Sequence, residues 1–142
     1  MPDASFYVLP SDSELERFKF ACKLAEKVYR ADNKIYILTD SESQSQKLDD
    51  LLWTFRAGSF VPHQIYSKSV EITEIGVLIG TSDAPENWQK TIINVSQHCP
   101  GKFEHTQRIL EILDNDEAIK QAGRQRYREY QQADFSINTH KM

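Results

Sequence analysis

Residues 6–40 read FYVLPSDSELERFKFACKLAEKVYRADNKIYILTD. Phe6-Tyr7-Val8-Leu9 is a short unbroken apolar run bounded by Pro10, the pattern of a strand covered on both faces in a parallel sheet. Helical spacing follows at once. Leu15, Phe18, Cys22, Ala25 and Tyr29 recur along one stripe, which Leu24 and Val28 widen. Ser11 or Ser13, followed three residues later by Glu14 or Glu16, supplies a capping box. Asn33 ends this helix, and Ile35-Tyr36-Ile37-Leu38 forms a second strand. Thr39-Asp40-Ser41 offers turn and cap chemistry to a further helix whose buried side is marked by Leu48, Leu51, Leu52 and Phe55. The order βαβα is that of an open α/β sheet.

Working outward, residues 56–73 show no clear period and contain Gly58 and Pro62, so they read as a long connection. Gly76-Val77-Leu78-Ile79-Gly80 is a third strand and Thr91-Ile92-Ile93-Asn94-Val95 a fourth, separated by the turn-rich Ser82-Asp83-Ala84-Pro85. Arg108-Ile109-Leu110-Glu111-Ile112-Leu113 fits helix or strand locally. Its β-branched residues and the abrupt Asp114-Asn115-Asp116 favour a strand feeding a final helix over residues 114–132. Asp114 and Glu117 suit its cap and acidic first turn. On that helix Lys120, Arg124, Tyr127 and Arg128 share a narrow stripe, with Ala118, Ile119, Ala122, Tyr130 and Ala133 expected on the opposite, buried side. Arg126 falls amid the apolar face, where a charge is costly unless paired, and reads as a structural ion-pair residue.

A chain of 142 residues is expected to form one domain, residues 1–142, with a hydrophobic core of its own. The formal net charge of −4 excludes a surface made throughout for nucleic acid, so any basic contact is local. Cys22 and Cys99 stand far apart with no CxxC pair and are expected as reduced, buried thiols. No basic leader with a long apolar run opens the chain, and no segment approaches the ~20 apolar residues that span a bilayer. The expectation is a cytoplasmic protein with no membrane contact.

The first strand-to-helix turn, Pro10-Ser11-Asp12-Ser13, has no glycine, no phosphate-binding lysine and an acid where phosphate would sit. The expected fold class is therefore α/β: a single three-layer domain with a mainly parallel central sheet flanked by helices, Rossmann-like without a phosphate loop. His63, His98, His105 and His140 lack metal-ligand spacing. No nucleophile motif surrounds either thiol, and Asp49-Asp50 and Asp114-Asp116 have surface or capping explanations. No catalytic residue, metal site or cofactor is expected.

Two interaction signals remain. The stripe of Lys120, Arg124 and Arg128 around the Tyr127 ring reads either as a solvated helix face or as a receptor for carboxylates or phosphates. Trp53-Thr54-Phe55 with Gly58-Ser59-Phe60-Val61-Pro62-His63 reads equally as core pieces or as an interface.

These residues carry a resemblance to a known family. The order FYVL, a helix, IYILTD, a helix ending LDDLLWTF, then SFVPH, RILEIL, DNDE, RQRYREY and FSIN resembles the chi subunit of bacterial DNA polymerase III over nearly the whole chain. The most specific pieces are residues 53–63 and the RxRYRxY tract. The resemblance implies a non-catalytic accessory subunit of the clamp-loader assembly in DNA replication. Its implied partners are the psi subunit and the acidic C-terminal tail of single-stranded DNA-binding protein, with nucleic acid met only indirectly. It maps the tail site onto Lys120, Arg124, Tyr127 and Arg128, with Leu113 as apolar wall, and the psi surface onto Trp53, Phe60, Val61, Pro62 and His63. Arg128 stands where a lysine would also serve, and residues 67–75 form a shorter segment than in the longer form of the family. The reading of different class is direct single-strand binding by the basic, aromatic stripe.

Overall fold

A computed structural model describes residues 2–31, 34–54, 61–67, 71–72, 76–101 and 105–142. Asn33, Phe55, Gly58 and Phe60 lie outside the described residues. The elements are β1 (Asp3–Val8), α1 (Glu14–Arg30), β2 (Ile35–Leu38), α2 (Glu42–Thr54), β3 (His63–Ile65), β4 (Val77–Gly80), β5 (Thr91–Asn94), β6 (Arg108–Leu113), α3 (Glu117–Gln132) and β7 (Ser136–Lys141). They build a seven-stranded sheet of order β3-β4-β2-β5-β6-β1-β7 in which every pairing is parallel.

Alternation along the strands sorts side chains between two faces. Ile35, Ile37, Val77, Ile79, Leu110 and Ile112 join Phe18, Ala21, Cys22 and Ala25 of α1 and Leu48 and Leu52 of α2 in the main core. On the other face Ile109 and Leu113 pack with Phe6, Ile119, Tyr130 and Phe135 beneath α3. Farther along that face, Tyr36, Leu38, Leu78 and Ile92 are covered by Ala84 and Trp88 of the β4–β5 connection. The domain thus has three layers. Ser13 is the cap of α1, accepting from the Glu16 amide at 3.2 Å. Leu15 departs from its expected place on the buried stripe: it is half-exposed, and the buried row of α1 begins at Arg17 and Phe18.

Two strands were illegible in the local pattern. β3 lies inside the stretch read as a long connection; it has three residues, all half-buried, too few to show a period. β7 is a mostly polar edge strand, paired to β1 from Asp3↔Ser136 to Val8↔Lys141. Its stability comes from this backbone ladder, which side-chain hydropathy does not report.

The start of α3 also differs from expectation. Asp116, not Asp114, is the N-cap, accepting from the Ile119 amide at 3.2 Å. Asp114 turns inward instead: its Oδ2 lies 3.3 Å from Arg17 Nε, with both side chains buried, and its Oδ1 accepts from the Asp116 amide at 2.9 Å. Arg17 Nη1 also donates to the Val95 carbonyl at 2.6 Å. One guanidinium thereby ties α1 to the C-terminal ends of β5 and β6.

Candidate basic pocket beside the last helix

The rotation of α3 about its axis is set by what it buries. Ile119, Gly123, Arg126 and Tyr130 form its inward row. Arg126 reaches Glu111 on β6 through Nη2–Oε1 at 2.9 Å and Nε–Oε2 at 3.0 Å. Tyr130 donates its hydroxyl to the same carboxylate, and Asn94 Nδ2 donates to it at 3.0 Å. Burial opposes the charge on Arg126, but Glu111 outweighs that and raises its pKa above the ordinary arginine value. Burial, then Glu111, pushes the Tyr130 phenol far upward, so it stays a neutral donor. The expected ion-pair role of Arg126 is therefore met.

With that row inward, Lys120, Arg124, Tyr127 and Arg128 come to the rim of the apolar core rather than to the side opposite it. The Tyr127 ring centroid is 5.5 Å from that of Phe6, and Tyr127 remains 38% exposed. Ala118 and Ala133, expected in the core, are exposed, and Ala122 is half-buried. Arg126 and Gly123 take the inward positions that a purely hydropathic count gives to the alanines.

α3 starts beyond the C-terminal end of β6 and delivers the chain to the start of β7, crossing β1 on the way. Beyond Phe6, which α3 covers, the C-terminal ends of β1 and β7 border an opening on that face. A cavity of about 720 Å³ opens there. β1 and the turn after it contribute Phe6, Val8, Leu9 and Pro10, β6 contributes Leu113, and the turn after β6 contributes Asn115. α3 contributes Lys120, Gly123, Arg124, Tyr127 and Arg128; the closing residues are Thr139, Lys141 and Met142. The structure thus brings Leu113, Lys120, Arg124, Tyr127 and Arg128 to one apolar-floored pocket. Sequence reasoning missed Lys141 and Thr139. Their spacing of two from Ile137 was the available signal, but it has meaning only once residues 136–141 are known to be a strand.

The α3 cations that line the pocket are lightly engaged. Lys120 Nζ lies 3.7 Å from Glu117 and 3.3 Å from Asn115 Oδ1, Arg124 Nη1 lies 3.6 Å from Glu117, and Arg128 Nη1 donates to Gln125 at 3.3 Å. Solvent-exposed pairs of this kind are worth roughly 0–1 kcal/mol, so a carboxylate arriving in the pocket can replace them at little cost.

The second group of expected site residues sits at the other edge of the sheet. Trp53, at the end of α2, is 57% exposed and stands edge-on to the His63 ring at 5.1 Å. His63 Nδ1 is 2.7 Å from the Val61 carbonyl, and its Nε2 is 3.2 Å from Asp49 Oδ1. Pro62 is half-buried. Val61 is fully buried in the main core, so its side chain supports this surface from beneath instead of presenting itself to a partner. Phe60 lies outside the described residues.

Cys22 is buried and Cys99 half-buried, both as free thiols. Among the described residues no cluster of three or more His, Cys, Asp or Glu is placed to hold a metal ion, and no helix is long and apolar enough to cross a membrane.

Residues 1–138 match the family described as DNA polymerase III chi subunit, HolC. The chain belongs to the DNA polymerase III chi subunit family. It is 32% identical over 142 residues to DNA polymerase III subunit chi of Pseudomonas aeruginosa, covering 100% of this chain and 98% of that one. It is 23% identical over 143 residues to the subunit of the same name from Escherichia coli, covering 98% and 97%. The fold is also similar to that in the crystal structure of T4 UvsW, with a TM-score of 0.67 and 12% identity. The chain spans 41% of that protein's length, and this likeness concerns the fold alone. Chi family membership makes the chain a replication accessory subunit with its partners inside the polymerase complex.

Proposed function

We propose that the chain acts by binding alone, bridging the psi subunit of the clamp loader and the acidic C-terminal tail of single-stranded DNA-binding protein. The observation that supports the tail site most directly is the convergence of Leu113, Lys120, Arg124, Tyr127 and Arg128 on one pocket. An acidic peptide ending in an apolar residue needs cations for its side chains, a cation for its α-carboxylate, and a greasy floor. Arg124 and Lys120 suit the α-carboxylate, Arg128 the acids upstream, and Tyr127 with Phe6 and Leu113 the terminal side chain. The bases of a single strand stack on open aromatic faces, whereas much of this floor is aliphatic, from Val8, Leu9, Pro10 and Leu113, which favours the apolar end of a peptide over direct single-strand binding.

The psi surface is proposed at Trp53, Phe60, Pro62 and His63, with Val61 beneath. β3 is one edge strand and β7 the other. A partner at the first edge leaves the pocket near the second open, as a bridge requires. Many tails on a coated strand would then raise the effective concentration of the clamp loader beside DNA without any single tight contact.

The test is a pair of titrations at moderate salt, one with an acidic peptide ending in an apolar residue and one with a bare oligonucleotide. Peptide binding that weakens as salt rises is the expected result. Tight oligonucleotide binding with no response to peptide would overturn the reading.

A further inference from the structure

We infer that Lys141, on β7, is a second-wall cation of the pocket and selects an extended acidic segment with carboxylates on adjacent residues. This rests on the peptide reading above and deepens it.

Along β7, Ile137 packs into the cluster beneath α3. Thr139 and Lys141 follow at spacings of two and therefore share that face. His140 points the other way and stacks on Tyr7, ring centroids 4.9 Å apart and planes at 17°. The register pairs Lys141 with Val8, and Val8 with Leu113. Lys141 is thus level with the Leu113 end of the pocket, facing α3 from the strand side. It is exposed, and among the described residues no carboxylate lies within ion-pair distance of it, whereas Lys120 and Arg124 share Glu117.

An extended peptide sends successive side chains to opposite sides. If α3 supplied the only cations, acids spaced by two would be favoured and an adjacent acid would face bare strand. A cation on β7 changes the rule. One carboxylate of an adjacent pair turns to the cations of α3, and its neighbour turns to Lys141 on the facing wall.

The experiment uses the full chain and fluorescence anisotropy with a labelled synthetic peptide carrying adjacent aspartates upstream of an apolar C-terminal residue. Two further peptides replace one or the other aspartate by asparagine. Lys141→Gln is expected to weaken the adjacent-aspartate peptide about two- to fivefold, the range of an exposed ion pair, and Lys141→Arg to restore it. The effect is expected to vanish with one asparagine peptide, the one lacking the carboxylate that faces β7, and to persist with the other. Equal binding by Lys141→Gln and the parent, or an equal loss with all three peptides, would overturn the inference. If Arg124→Glu loses the peptide while Lys141→Gln does not, the pocket remains a peptide site and only the second wall falls. If the parent ignores the peptide, or Arg124→Glu binds it normally, the peptide reading falls as well. Because Lys141 is exposed and makes no ion pair among the described residues, an unchanged thermal unfolding curve is the control for an intact fold.

Discussion

Arg126 and Glu111 form a doubly bonded ion pair sealed between α3 and β6, their side chains 3% and 0% exposed. The pair does not touch the pocket, yet it fixes the rotation of α3 that sets Lys120, Arg124 and Tyr127 along its rim.

Arg126→Ala leaves the Glu111 carboxylate buried beside only Tyr130 and Asn94. Breaking one side of a buried pair costs roughly 3–5 kcal/mol, so a large fall in the urea unfolding midpoint is expected. Replacing Arg126 and Glu111 together by Met and Leu is expected to cost much less, because no charge remains buried. Equal losses in the single and double variants would mean that packing, not the pair, holds the helix.

Gly123→Ala places a Cβ 2.6 Å from Leu113 Cδ1 and 3.0 Å from Cδ2. Alanine favours the helix by about 1 kcal/mol, but overpacking costs about 1–3 kcal/mol. The expected net is a loss of about 1 kcal/mol, with Leu113 displaced into the pocket and acidic-peptide affinity reduced. A more stable variant with unchanged affinity would show that Leu113 has room to give way.

Stability is expected to fall as pH rises through the alkaline range. Burial pushes the Cys22 thiol from 9.0 up to about 12, and burial followed by the neighbouring Glu129 pushes Cys99 up to about 12. Between those values the folded chain keeps protons that the unfolded chain has lost, so the slope of unfolding free energy against pH is negative there. Urea midpoints measured from about pH 8 to about pH 11 check this. Cys22→Ala is expected to flatten the profile; an unaltered profile would assign the decline to other groups.

Trp53→Ala removes a ring that is more exposed than buried, with an expected stability loss under about 1 kcal/mol. It is expected to spare acidic-peptide binding and weaken capture of psi, while Arg124→Glu does the reverse. Pull-down with psi and peptide titration on both variants provide the check. Loss of both contacts in either variant would mean that the two surfaces are not independent.

Hydropathy and cap chemistry were enough to place the first two βα units and the strands after Gly76 and at Arg108–Leu113, because a short window reveals an apolar run or a helical stripe. The final helix was placed too, but with its cap at Asp114 in place of Asp116 and with the exposed Ala118 and Ala133 on its buried side. Arg126 was legible for the same reason: a charge at a buried helical position demands a partner, although Glu111 could not be named. What the tertiary structure alone decided depends on pairing between distant segments. β7 is polar and exists through its ladder with β1, and only that register carries Lys141 and Thr139 to the pocket. Asp114 looked like a cap and became the partner of Arg17, since α1 packs over the end of β6. Val61, in a segment that read equally as core or interface, is core. A sequence reports which side chains need burial or a partner; the path of α3 across β1, a property of the whole sheet, determines which cations share a pocket.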